Sequence, residues 1–147
     1  MKKSKWQSYR IRIPAIFLIL FLLMNLTSCF KYEARIYYRD KDNYVNATGV
    51  VSHMKYSEEG TALYFGFDNL SPKFDDNAFK IEGDNLKVVQ DNGIDEKIKI
   101  GDEVSFMSAP KYFGDGYIMP IMAISIGDDV LLEFEQGYEN YMNFLKK

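Results

Sequence analysis

A small, mainly β domain of about five strands, with one short helix inside it and an amphipathic helix at its end, is the fold class this sequence predicts. Three observations predict it. Between Val45 and Ile126, short runs rich in Val, Ile, Thr, Tyr and Phe alternate with clusters of Gly, Asp, Asn and Pro, the pattern of strands and turns. A single stretch, Asp84 to Gly93, carries helix-compatible spacing between them. The chain then ends on apolar residues at helical rather than strand period.

Val45 to Met54 holds Val45, Thr48, Val50 and Val51, side chains that suit a pleated surface. Gly49 within it marks a bulge. Ser57-Glu58-Glu59-Gly60 is a turn, and Thr61 to Phe67 a second strand, so the two form a hairpin. Asp68 to Asn77, with Pro72, reads as an exposed loop, and Ala78 to Ile81 as a short third strand. Asp84 is placed to cap a helix, in which Leu86, Val89 and Gln90 share a face. Gly93 fits its left-handed stop. A strand with Leu86 and Val88 on one face remains open from the pattern alone.

Ile98 to Val104 leads into a fourth strand ending near Met107, and Ser108 to Gly116 is a connection. Tyr117 to Ile126 is the fifth strand, and Gly127-Asp128-Asp129 turns into Val130-Leu131-Leu132. In the tail, Phe134, Tyr138, Tyr141, Met142 and Leu145 form one helical stripe. Glu133 and Glu135 near its start and Lys146 and Lys147 at its end suit the helix dipole. Gly137 inside it costs about 1 kcal/mol relative to Ala.

The first thirty residues say where the protein works. Lys2, Lys3, Lys5, Arg10 and Arg12 precede an apolar run from Ala15 to Met24, the layout of a signal peptide. The run is shorter than the roughly 20 apolar residues a membrane span needs. Leu26-Thr27-Ser28-Cys29 follows in register with its end and resembles the lipobox of bacterial lipoproteins. That resemblance implies cleavage after Ser28, a diacylglyceryl group on the Cys29 sulfur, often a further fatty chain such as palmitate on the new amine, and a lipid anchor at the extracytoplasmic face of the cell membrane. Two chains hold where one does not, since each buried methylene contributes roughly 0.8 kcal/mol. Cys29 is the chain's only cysteine, so no intrachain disulfide competes for it. Phe30, not Asp, follows it; an Asp there resembles an inner-membrane retention signal. The chain thus divides into 1–28, a lipoprotein signal peptide; 29–43, the lipidated cysteine and a tether; and 44–147, the folded domain. Within the tether segment, Ala34 to Tyr38 is equally compatible with a short added strand.

All 21 acidic residues lie beyond Ser28, whereas five of the 18 basic ones lie in the signal segment. The processed chain therefore carries a net charge of −8. Such a surface repels anionic lipid headgroups and phosphate backbones, and nucleic-acid binding draws on phosphate neutralisation by Lys and Arg.

Two strands, a short strand, a helix and two more strands is the order of an oligonucleotide/oligosaccharide-binding (OB) barrel, and Ile98-Lys99-Ile100-Gly101-Asp102-Glu103-Val104 resembles the hydrophobic-Gly-Asp-x-Val entry before that fold's fourth strand. The resemblance spans Val45 to Ile126 and implies a β-barrel whose strands two and three, with flanking loops, form the ligand face. The whole chain is also similar to small lipoproteins of Gram-positive bacteria, through the lipobox and the stretch Ala109-Pro110 to Met119-Pro120; that similarity implies no activity.

Of the aromatic residues Tyr44, Tyr56, Tyr64, Phe65, Phe67, Tyr112, Phe113 and Tyr117, at least half are expected in the core. Tyr112, Phe113, Asp115 and Tyr117 are the candidate ligand-binding set, since Gly114-Asp115-Gly116 allows a tight turn that thrusts its neighbours outward. His53, the sole histidine, has no partner for a His-pair metal site. Asp75-Asp76 and Asp128-Asp129 lack the alternating oxygens and glycine turn of a calcium loop and read as solvated turns. No catalytic, metal or cofactor set is expected. The reading that follows is a non-catalytic, membrane-anchored binding module for a protein or peptide, with an OB-type polysaccharide or nucleic-acid binder as the alternative.

Overall fold

The computed structural model describes residues 32–74, 76–111, 113 and 118–146. The lipobox and Cys29 lie outside the described residues. The chain enters on a helix, α1 (residues 32–39), and a single 3-10 turn at Lys41–Asn43. Six strands follow: β1 (Val45–Tyr56), β2 (Ala62–Ser71), β3 (Phe79–Glu82), β4 (Glu103–Ser108), β5 (Met119–Ile126) and β6 (Asp129–Leu132). Between β3 and β4 lie two short helices, α2 (Asp84–Asp91) and α3 (Ile94–Lys97), and after β6 comes α4 (Phe134–Phe144).

The sheet runs β3-β2-β1-β4-β5-β6, and β3 also pairs with β5. Every neighbour is antiparallel except that last contact, where Phe79 and Lys80 lie parallel to Met119 and Pro120. The pairing closes β1 to β5 into a ring of hydrogen-bonded strands, and β6 extends the hairpin beyond it.

Alternation along the strands sends Ala47 and Val51, Leu63, Phe65 and Phe67, Phe79 and Ile81, Val104 and Phe106, and Ile121 and Ile124 to the inside. Leu86 and Val89 of α2 with Ile94 and Ile98 join this same core. Gly49 falls at an irregularity of the β1–β2 register, as its bulge reading expects. A Cβ there would come within 2.8 Å of the Phe67 Cβ, so the bare backbone lets two strands approach closely.

Three local expectations need correction. Residues 32–39 are helical, neither an extended tether nor an added strand: Ala34 and Tyr38, one turn apart, are buried against the domain. Gly83, not Asp84, occupies the N-cap of α2; Asp84 stands in the first turn, where its charge still favours the helix dipole, and makes no cap hydrogen bond. Gln90 is exposed, and the buried face of α2 is Asn85, Leu86 and Val89. Gly93 does stop α2, at φ 78°, and the chain coils at once into α3.

A second apolar cluster lies outside the ring. Ala34 and Tyr38 of α1, Tyr44, Ala109, Met122 and Tyr141 of α4 form its buried part, with Tyr37, Met107, Phe113, Phe134, Tyr138, Met142 and Leu145 packed around them. Met107 and Met122 point outward because their strand neighbours Phe106 and Ile121 point inward. The predicted stripe of the tail helix covers them. Gly137 permits this: a Cβ there would lie 1.9 Å from the Met122 carbonyl oxygen, so the helix backbone rests directly on β5. Asn85, 2% exposed, donates from Nδ2 to the Gly137 carbonyl at 2.9 Å and accepts at Oδ1 from the Asn140 amide at 3.0 Å. This ties α2 to α4.

Candidate functional site

The outer surface of the ring is half covered. Helices α1 and α4 hide the outer side of β4 and β5, while the outer side of β1 is open, with Asn46, Thr48, Ser52, His53 and Lys55 exposed. On that open side the register aligns three residues. Lys55 of β1 pairs with Tyr64 of β2, and Tyr64 pairs with Lys80 of β3. Each lies between inward-facing neighbours: Met54 and Tyr56, Leu63 and Phe65, Phe79 and Ile81 pack on the inner core. Strand alternation therefore sends all three outward. Directly opposed residues of antiparallel strands hold their Cβ atoms roughly 4.5–5.5 Å apart, so the half-buried Tyr64 stands between two lysine positions.

Lys80 forms an ion pair with Glu82, 2.9 Å apart, on the same face of β3. That pair is mostly shielded, with side-chain exposures of 24% and 15%. Lys55 is exposed. His53 pairs with Gly66 one step along, and Gly66 is buried there, with His53 Cβ, Ser52 Oγ and the Asn77 carbonyl oxygen within 3.6 Å of where its Cβ would stand.

Beyond Gly66 the β2–β3 connection folds back over the end of the core. Asn77 imitates a strand neighbour: its Oδ1 accepts from the Phe67 amide at 2.8 Å and its Nδ2 donates to the Phe67 carbonyl at 2.5 Å. Phe74 lies edge-on to Phe79, with ring centroids 5.1 Å apart. Leu70, Lys73, Phe74, Asp76 and Asn77 line a concavity of about 410 Å³.

Of the four residues predicted for ligand binding, Tyr112, Asp115 and Tyr117 lie outside the described residues. Phe113 is half-buried and packs on Tyr37 and Tyr38, with centroids 5.5 and 5.6 Å away. The adjacent Lys111 places its ammonium 5.4 Å from the Tyr37 ring centroid, and its carbonyl accepts from the Tyr38 hydroxyl at 2.9 Å. This described part of the β4–β5 connection is thus bound to α1. Of the other aromatics, Tyr44, Phe65 and Phe67 are buried, and Tyr56 donates to the Asp95 carboxylate at 2.8–2.9 Å.

The two lysines flanking Tyr64 escaped the sequence reading. Tyr64 is prominent as an aromatic in a strand, but its neighbours lie 9 and 16 positions away, and only the register brings them beside it. The alternation within each strand held the facing information; the pairing did not.

His53 is exposed, and so are Asp76, Asp128 and Asp129. Among the described residues no group of three or more His, Cys, Asp or Glu side chains is placed to hold a metal ion. Among them, too, no helix is long and apolar enough to cross a membrane. No protein-family model, curated protein or solved structure matches this chain.

Proposed function

We propose that the chain is an extracytoplasmic lipoprotein, anchored through acylated Cys29, whose globular part is an OB-like barrel acting as a non-catalytic binding module. The strand connectivity supports the barrel reading. Strands β1 to β5 form a ring closed by the parallel β3–β5 contact, and the helical segment sits between β3 and β4. The Leu26-Thr27-Ser28-Cys29 motif behind a cationic, apolar leader supports the anchor.

The observation that carries the binding reading is the row Lys55, Tyr64, Lys80, which runs from the open side of β1 to the shielded Lys80–Glu82 pair on β3. In an OB-like barrel this side takes the ligand. A half-buried ring beside an exposed lysine stacks on a planar or apolar side chain while the Lys55 ammonium meets a carboxylate. The partner class that fits is a polypeptide segment bearing acidic and aromatic or aliphatic side chains.

A photo-crosslinking amino acid placed at Tyr64 in cells, with mass spectrometry of the products, tests it. The expected result is one recurrent protein partner, captured several-fold less when Lys55→Glu is also present. Capture that is absent, or unchanged by Lys55→Glu, overturns the assignment of this face. The alternative, an anionic polysaccharide or nucleic-acid ligand, uses the same cation-flanked ring but works against a net charge of −8. Retention on heparin or single-stranded DNA resin at low salt, lost with Tyr64→Ala, would favour it.

A further inference from the structure

Helix α1 has two faces with different surroundings. Ala34 and Tyr38 point into the domain, 7% and 2% exposed. Positions 32 and 36 fall on the opposite side of a 3.6-residue helix, and there Tyr32 is 66% and Ile36 56% exposed. Arg35 and Arg39, also one turn apart and exposed, lie along one edge of this stripe, and the exposed Glu33 lies along the other. Two large apolar side chains on one short solvent-facing stripe, beside two guanidinium groups, are the composition of a helix lying in a membrane interface. Tyr favours the headgroup level, and arginine side chains reach anionic phosphates while their stems rest on apolar surface.

The helix does not swing freely. The Arg35 Nε donates to the Leu145 carbonyl at 2.7 Å, the Tyr138 hydroxyl donates to the Arg39 carbonyl at 2.6 Å, and the Asn43 amide donates to the Tyr37 carbonyl at 2.8 Å. Lys41 forms an ion pair with Glu135. These contacts bind α1 to α4 and to the chain entering β1.

Chain length decides what meets the exposed stripe. Cys29 stands three residues before Tyr32. Whatever its conformation, a three-residue connection reaches no further than about 10 Å. A cysteine whose fatty chains lie in the bilayer therefore holds the start of α1 at the headgroups.

We infer that α1 is a membrane-contact helix: Tyr32 and Ile36 enter the interface of the anchoring bilayer, Arg35 and Arg39 engage its anionic headgroups, and the domain is held in a fixed orientation instead of hanging from a loose tether. This rests on the lipoprotein reading. The β1–β2 turn lies at the far end of the twelve-residue β1 from the connection to α1.

Acylation consumes the thiol of Cys29, so an Ile36→Cys variant of the full chain carries one free thiol. The variant is matured in its host, labelled there with an environment-sensitive fluorophore, and reconstituted in phosphatidylcholine vesicles containing phosphatidylglycerol. A Glu59→Cys variant, labelled in the β1–β2 turn, is the control. The expected result is several-fold stronger quenching of the position-36 label by headgroup-level doxyl lipid, and several-fold weaker quenching by iodide, than at position 59. Equal iodide access at both positions overturns the inference. Shielding of position 36 from both quenchers also overturns it, because a protein surface then covers the stripe. The mass of the amino-terminal peptide separates the two readings. An acylated protein whose position 36 sees water defeats the membrane helix alone; an unacylated Cys29 defeats the lipoprotein reading and the inference with it.

Discussion

The core inside the ring and the seam outside it both depend on aromatic rings, but on different ones. Inside, Phe79 is the hub: its ring lies edge-on to Phe74 and Phe106, 5.1 Å from each, and is tilted at 60° to Phe67, 5.4 Å away. Outside, the hub is Tyr38, edge-on to Tyr37, Phe113 and Tyr141 at 5.4–5.6 Å. The geometry is alike, yet the hydroxyl changes its consequence. A ring of strands has already paired its own backbone, so its interior is filled by side chains without polar atoms. The seam joins a helix, a turn and a connection whose carbonyls lack strand partners. Tyr38, Tyr44 and Tyr138 supply donors to the carbonyls of Lys111, Tyr38 and Arg39. The phenylalanines make a domain; the tyrosines fix how its amino-terminal helix sits on it.

If that division is right, removing a ring from each place has different reach. Phe79→Ala is expected to cost about 4 kcal/mol and to lower protection from hydrogen exchange in every strand, since its void opens where β2, β3 and β4 converge. Gly137→Ala comes next, at about 3 kcal/mol, because the new methyl meets the immovable Met122 carbonyl. Helix propensity alone predicts a gain of roughly 1 kcal/mol for that substitution, so urea unfolding decides between the two by sign. Exchange is expected to rise in α4 and α1 while β1 to β3 stay protected, the behaviour of a locally released unit.

Gly137 also measures what the sequence could tell. Read along the chain it is a flaw in an amphipathic helix; only the approach to β5 makes it a requirement. The inner core was legible, because inward residues such as Leu63, Phe65 and Phe67 alternate within one strand. The tail helix was legible for the same reason at a period of 3.6. The seam was not, being assembled from residues 34–44, 107–113, Met122 and the tail helix, of which only the tail helix shows its buried face alone. Helix α1, whose described residues are 32–39, reads as tether until Tyr141 and Phe113 provide the surface that Ala34 and Tyr38 bury against. The open face follows the same logic: Tyr64 stands out, while Lys55 and Lys80 become neighbours only through the register.

The tyrosine seam should also be the part that fails in alkali. Burial raises the hydroxyl pKa values of Tyr38, Tyr44 and Tyr141 above the ordinary tyrosine value, with smaller contributions from Tyr37 and Glu82 on Tyr38, from Tyr38, Tyr138 and Tyr37 on Tyr44, and from Tyr38, Glu82 and Tyr44 on Tyr141. In the unfolded chain these groups ionise near pH ~10. The folded values are the higher ones, so the stability of the neutral seam is complete below that pH and is lost as the pH climbs past it toward them. Thermal midpoints taken upward from about pH 9 should fall steeply, with tyrosinate absorbance from the three residues appearing together with loss of structure. Ionisation of all three in a still-folded protein would mean the seam is wetter than its packing indicates.

The smallest effect is the most discriminating. Tyr38→Phe keeps the hub ring and removes only the donor to the Lys111 carbonyl, which lies at an exposed residue where water can replace it. The expected cost is about 1 kcal/mol or less, too little to disturb the ring of strands. Its mark should be local: faster exchange at the amides of α1 and of residues 109–111, with β1 to β3 unchanged. Tyr38→Ala would remove the ring as well and release both α1 and Phe113, so the pair separates the hydroxyl's contribution from the packing. If Tyr38→Phe left α1 as protected as before, ring contact alone would be enough to seat that helix, and the distinction between a phenylalanine core and a tyrosine seam would reduce to solvent exposure at its rim.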